Sequence, residues 1–178
     1  MGNVRPVIEL GDRRLRQRAQ AMDPGMDLGA DLHLQRLIDD LLTTMTAKNG
    51  VGIAAPQVAV EQQLFIVASR PNPRYPQAPT MEPTAMINPH ILSHGDELVR
   101  GWEGCLSVPG RRGLVPRYRE IEVTYLDRYG QVHQRYFQDF IARIFQHEHD
   151  HLQGKVFLDR VEDPQDVLTE ADYQQRFG

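Results

Sequence analysis

Residues 139–154, DFIARIFQHEHDHLQG, make two demands that few packing arrangements satisfy together. Phe140, Ile141, Ile144, Phe145 and Leu152 surround much of a helix drawn through this stretch, so the helix has to be buried rather than laid on a surface. Asp139 is placed to cap its start, and Gly154 stands where helices stop. Yet the same helix carries His147, Glu148, His149, Asp150 and His151, groups that are costly to bury without partners. At about 100° per residue, positions four apart lie nearly above one another. His147 and His151 therefore share a face, and His149 points almost the opposite way. HExxH on a helix offers two imidazoles to one metal ion, with a Glu beside the first for acid and base chemistry. The competing reading is a helix whose histidines are surface groups or satisfied core groups.

Around that helix the chain reads as α+β. Leu34, Leu37, Ile38, Leu41, Leu42 and Met45 recur at helical spacing and predict an amphipathic helix over about 28–48, stopped by Asn49-Gly50. A short Arg-rich helix is expected over 12–20. Strands are expected at Leu64–Ser69 and Ala85–Leu92, separated by an irregular excursion, RPNPRYPQAPTMEP, with five prolines. Ile121, Val123 and Tyr125 alternate and are answered by Val132 and Tyr136 across Asp127-Arg128-Tyr129-Gly130, a β-hairpin. Length, 178 residues, suits one domain over 1–178 with antiparallel or mixed strands around the HExxH helix and a short polar tail at about 162–178.

Composition excludes several classes. The net charge of −4 argues against a general nucleic-acid or anionic-membrane binder, leaving room only for a local basic patch, and no specific nucleic-acid partner is expected. No apolar run approaches the ~20 residues that span a bilayer, and MGNVRPVIELGDRRLRQRAQ lacks the apolar core of a signal peptide. Met-Gly-Asn opens like a myristoylation site, but Pro6 stands where Ser or Thr is wanted. The single cysteine, Cys105, forms no intrachain disulfide and suits a reducing cytoplasm.

A catalytic metal wants three protein ligands and an open position. The extension HExxHxxGxxH fails, because Phe157 occupies the place of its last histidine. Glu162 and Glu170 lie in the tail, VEDPQDVLTEADYQQRFG, which has little means of forming a helix to present them. Cys105, in Trp102-Glu103-Gly104-Cys105-Leu106-Ser107, is the better candidate, against the alternative of a small buried hydrophobe. Gly50-Val51-Gly52-Ile53-Ala54-Ala55-Pro56-Gln57 follows the long helix; read alone, it is either a tight connection or a loop built for close backbone approach.

Together, GVGIAAPQ, EGCLS and QHEHDHLQG in this order resemble the peptide deformylases, and the similarity continues through Arg112–Arg117 to Asp159. The resemblance implies an α+β metallohydrolase that removes the formyl group from the N-terminal formyl-methionine of newly made polypeptides. It puts the metal ligands on Cys105, His147 and His151 and the acid/base on Glu148. The implied ion is one divalent metal per chain, natively Fe²⁺, with Zn²⁺, Ni²⁺ or Co²⁺ as substitutes. Gly52, Gln57 and the Leu106 N–H map to the active site, the last two as donors to the oxyanion. Gly52 and Leu106 are expected to form a rim that admits formyl and obstructs larger acyl groups. Gly50, Val51, Ile53, Phe140 and Ile144 are expected to bind substrate, with Phe140 and Ile144 on the helix face of His147 and His151. Arg112 is expected along the substrate backbone. Glu103 and Arg117 are expected to brace the cysteine turn as a charged pair. The implied setting is a monomer in the bacterial cytoplasm, in transient contact with the ribosome. A metallopeptidase shares HExxH, but the missing third histidine and the cysteine speak against it.

Overall fold

In the computed structural model, which describes residues 2–23, 25–71 and 75–177, the elements follow as α1 (Leu32–Ala47), β1 (Gly52–Ala54), β2 (Leu64–Ser69), β3 (Met81–His94), β4 (Leu98–Cys105), β5 (Val108–Tyr118), β6 (Glu120–Leu126), β7 (Val132–Gln138), α2 (Asp139–Leu152), β8 (Val167–Thr169) and α3 (Glu170–Phe177). Helix α1 starts four residues later than its apolar spacing predicts. Asp31 sets that start, because its side chain accepts from His33 N at 2.9 Å and Leu34 N at 3.1 Å.

The strands form a five-stranded antiparallel sheet, β1-β2-β3-β6-β7, and a three-stranded one, β4-β5-β8. Strand β2 is buried at all six positions, and period-two alternation says why. Leu64, Ile66 and Ala68 pack with Leu34, Leu37, Ile38, Leu41 and Met45 of α1. Phe65 and Val67 face the other way, with Ala142, Ile144, Phe145 and Leu152 of α2. The large sheet is thus a layer between two helices, and α2 is buried as its apolar belt requires. Each such Leu, Ile or Phe contributes roughly 1.5–3 kcal/mol on burial. The α+β class expected from the sequence is the one observed.

Several local expectations need correction. Only Arg13–Arg16 of the predicted helix at 12–20 is helical, as a single 3₁₀ turn around buried Leu15. The proline-rich excursion ends at residue 80, since Met81–Pro83 already belong to β3. Gln138, not Asp139, holds the cap position of α2; Asp139 is its first residue and accepts from Arg119 Nε at 3.0 Å. Gly154 follows α2 with φ +71, as expected of a helix end. The tail is not featureless: β8 pairs with β5 at Arg111–Gly113, and α3 follows directly. No helix among the described residues is long and apolar enough to cross a membrane.

Candidate active site

Three structural pieces meet at one cleft: the turn from α1 into β1, the β4–β5 hairpin and helix α2. Helix α2 supplies His147, Glu148 and His151, and the end of β4 supplies Cys105. The Sγ of Cys105 and one ring nitrogen from each of His147 and His151 all lie within 4.8 Å of one another. Cys105 Sγ is 3.3 Å from His151 Nε2. A tetrahedral ion with bonds of ~2.0–2.3 Å keeps its ligand atoms about 3.3–3.8 Å apart, so this sulfur and two nitrogens suit a divalent metal with a further position open. The chemistry of the donors agrees. Burial alone would raise the Cys105 thiol, but the imidazoles of His151 and His147 outweigh it and bring the thiol down to about 5. The site is therefore built around a thiolate, the form that binds metal.

Behind the donors lies a buried ionic network. His147 Nδ1 is 2.9 Å from Glu103 Oε2. The carboxylate can only accept, so Nδ1 carries the proton and Nε2 is left for the metal side. Glu103 also accepts from Arg117 Nε and Nη2, each at 3.0 Å, and from Arg143 Nη1 at 2.8 Å. Burial pushes Glu103 up, but Arg117 and His147 more than reverse this and hold it well below the usual carboxylate range. Arg117 continues to Asp150 Oδ2 at 2.5 Å, and Asp150 accepts from Arg160 at 3.1 and 2.6 Å. The expected Glu103–Arg117 pair is thus part of a larger chain that ties β4, β5 and α2 together. Each buried carboxylate of this chain thus has more than one partner, which is what makes burying it tolerable.

Glu148 differs from these carboxylates. It is buried, and its Oε2 has no hydrogen-bond partner among the described residues. Burial raises its carboxyl to about 7, against the opposing pull of His147 and His151. Its position depends on Gly52: a Cβ built there would lie 2.2 Å from Glu148 Oε1. Gln57 sits on the 3₁₀ turn Ala55–Val58, where its Oε1 accepts from Ala54 N at 2.8 Å. That bond turns its amide nitrogen inward, 3.1 Å from Ser107 Oγ and 3.5 Å from Cys105 Sγ.

Gly50, Val51, Gly52, Gln57 and Leu106 line the cleft, as do Phe140 and Ile144 beside His147 and Glu148. Two expected substrate contacts do not. Ile53 is wholly buried among α1 residues, because alternation along β1 turns it to the face opposite Gly52. Arg112 is 1% exposed, with its guanidinium bonded to Glu170 at 2.8 and 3.3 Å, and it is not among the residues lining the cleft. Glu170, which the sequence set aside for want of a helix to present it, does begin one, α3, and its carboxylate is committed to Arg112. His149 is partly exposed and stacks on Phe145, its ring centroid 6.2 Å away, on the side of α2 away from the donors.

Tyr75, Trp102 and Arg143 also line the cleft and were not anticipated. Helical spacing offered a signal for Arg143, which follows Phe140 by three and precedes His147 by four. Trp102, the one tryptophan, adjoins Glu103 in the quoted cysteine segment. Tyr75 sits in the irregular excursion, where periodicity says nothing.

A family model described as polypeptide deformylase matches residues 4–167. Peptide deformylase 2 of Nostoc sp. is 59% identical over 170 residues, covering 96% of this chain and 93% of that protein. Peptide deformylase 2 of Ralstonia nicotianae is 43% identical over 160 residues, covering 90% and 88%. Among solved structures, a class I type b peptide deformylase from Acinetobacter baumannii with Met-Ala-Ser bound superposes with a TM-score of 0.87 at 46% identity, covering 90% of this chain and all of that one. A peptide deformylase from Synechococcus elongatus in complex with actinonin gives 0.78 at 34% identity, covering 93% and 85%.

Proposed function

The chain belongs to the polypeptide deformylase family, and from that membership and the geometry of its cleft we propose that it hydrolyses the N-formyl group from formyl-methionine at the start of new polypeptides. The observation that carries the reading is Glu148: a buried carboxyl near neutral pKa, lacking a partner for one oxygen among the described residues, beside a thiolate and two imidazoles arranged for a metal. Cys105, His147 and His151 would hold one divalent ion, and their S/N/N character suits Fe²⁺, Zn²⁺, Ni²⁺ or Co²⁺, with Fe²⁺ proposed as the native one. Such an ion would supply Lewis acidity and make water acidic near neutral pH.

The protein's own groups then divide the work. Glu148 takes a proton from the attacking water and returns it to the leaving amine nitrogen of methionine, a role that suits a carboxyl near pH 7. The Gln57 amide and the Leu106 N–H donate to the oxygen of the formyl group as it gains negative charge. Removing one such donor costs about 2.7–4 kcal/mol of transition-state stabilisation in comparable sites. Glu103, through His147 Nδ1, fixes the ring that must present Nε2. Val51, Phe140 and Ile144 receive the methionine side chain, and the rim at Gly52 and Leu106 restricts the acyl group to formyl. The tripeptide Met-Ala-Ser bound by the Acinetobacter baumannii relative begins with a methionine, as the product of this reaction does. The substrates on this reading are nascent chains in a bacterial cytoplasm.

The test is release of formate from a formyl-Met peptide by metal-loaded protein, run beside Glu148→Ala. The wild type is expected to release formate, leave internal peptide bonds intact and lose activity on chelation. Glu148→Ala is expected to keep its metal and lose nearly all turnover. Near-normal turnover by the metal-loaded variant would remove Glu148 from the mechanism.

A further inference from the structure

Arg112 is among the most deeply buried large side chains of the described residues, yet it does not line the cleft. A guanidinium is seldom buried unless it is paired. Here the pairing comes from α3: Glu170 accepts from Nε at 2.8 Å and from Nη2 at 3.3 Å, and the Tyr173 ring centroid lies 4.9 Å from the guanidinium carbon. On its other side Arg112 meets Tyr75, with the ring centroid at 5.6 Å and the hydroxyl accepting from Nη1 at 3.4 Å. Tyr75 packs against Phe140 at 5.0 Å between centroids, and both line the cleft. A second route runs parallel to the first. Tyr173 and Phe177 each stand 5.5 Å from the ring of Trp102, another cleft residue. Arg112 also lies directly under Gly104, where a Cβ would fall 3.3 Å from its Cδ, one residue before Cys105. Pairing of β8 with β5, with Leu168 opposite Arg112, sets the register that brings Glu170 into place.

We propose that α3 positions the substrate wall of the cleft, with Glu170 and Tyr173 acting through Arg112 and Trp102 to hold Tyr75, Trp102 and Phe140 in the arrangement that receives the peptide. This rests on the deformylase reading of the cleft. Glu170 and Tyr173 are not among the residues lining the cleft, so any effect of theirs on substrate affinity is transmitted rather than made by contact. A wall held in place before binding lowers the ordering cost of binding, and its loss weakens ground state and transition state alike.

Steady-state deformylation of a formyl-Met peptide by Glu170→Gln and Tyr173→Ala, each normalised to bound metal, tests this. KM is expected to rise about fivefold or more with kcat within about twofold, the signature of lost uniform binding. Arg112→Lys, which keeps the charge but loses the fork, should shift KM in the same direction. A merely structural role would lower the melting temperature and the active fraction while leaving KM unchanged, and that outcome overturns the proposal. So does a fall in kcat alone. Trp102, as the only tryptophan, adds a readout that needs no turnover: unchanged emission in Tyr173→Ala would mean that α3 does not hold it. Failure of the wild type to deformylate at all would instead sink the underlying function.

Discussion

Gly52→Ala isolates the positioning of one carboxylate. The added Cβ would stand 2.2 Å from Glu148 Oε1, 2.8 Å from its Cδ and 2.9 Å from its Cγ. Relaxed non-bonded contacts of carbon sit near ~3.5 Å, so the carboxylate has to withdraw by about 1 Å. It can do so, being the end of a side chain with rotatable bonds, and Gly52 is not among the glycines with positive φ, so the backbone adds no strain. The fold should survive, helped by about 0.4–1 kcal/mol from the stiffer unfolded chain. Cys105, His147 and His151 are not the atoms struck, so bound metal should stay at one per chain. A displacement of ~1 Å in a catalytic group costs on the order of a hundredfold in rate, equivalent to about 2.7 kcal/mol. The assay is kcat on metal-loaded protein, with metal content and melting temperature measured alongside. The companion experiment uses Glu148→Ala, which removes the Cγ, Cδ and Oε1 that the new Cβ would strike. In that background Gly52→Ala should add little further loss, because the clash has already been relieved. A kcat within about threefold of wild type for Gly52→Ala alone would refute the reasoning, and so would additive losses in the pair.

Other perturbations separate the remaining roles. His147→Ala and His151→Ala should each abolish tight metal binding, whereas His149→Ala, which removes a ring stacked on Phe145, should leave metal content near wild type; equal loss from all three would contradict the donor geometry. Cobalt-loaded wild type should absorb through a sulfur-to-cobalt charge-transfer band that Cys105→Ser lacks, and identical spectra would put the sulfur outside the coordination sphere. In metal-free protein, the rise of Glu148 from 4.5 to about 7 favours the protonated folded state: the stabilisation is full below about pH 4.5 and is lost as pH rises through about 7. Metal-free Glu148→Gln should therefore be more stable than wild type above pH 7 by up to about 3 kcal/mol, with the gap closing toward pH 4.5, and parallel pH–stability curves would count against a buried, raised carboxyl.

What could be read from the chain alone was what periodicity carries. The apolar belt of α2, the stripe of α1 and the six-residue run of β2 announced themselves because each is set by residues a few positions apart. Strands β4 and β5 did not, since Gly101, Gly104, Gly110, Gly113, Pro109 and Pro116 interrupt the alternation that marks a strand. Their pairing is fixed by the partner strand instead, at positions from Leu98↔Tyr118 to Cys105↔Val108. Helix α3 was equally hidden, having no buried residue of its own; its partners Arg112 and Trp102 lie more than fifty positions upstream. Ile53 shows the same limit at the smallest scale, because in a three-residue strand next to a loop only the register with β2 decides which side chain faces the cleft.

The density of polar residues on a buried helix is resolved by giving each a different neighbour. His147 and His151 turn to Cys105, which is 46 positions from His151 in the chain. Glu148, one residue from His147, enters the cleft through the space that Gly52 leaves. Asp150 faces the opposite wall and closes on Arg117 and Arg160, while His149 rests on Phe145 at the outer edge. Helical geometry alone separates these directions, and it makes the alternation in QHEHDH necessary: adjacent residues must diverge by about 100° to serve different partners. Arg117 then joins the two sides, since it binds both Asp150 and the Glu103 that orients His147. The helix is therefore held by its polar residues as much as by its apolar ones, and the metal donors are positioned by the same contacts that make burying them tolerable.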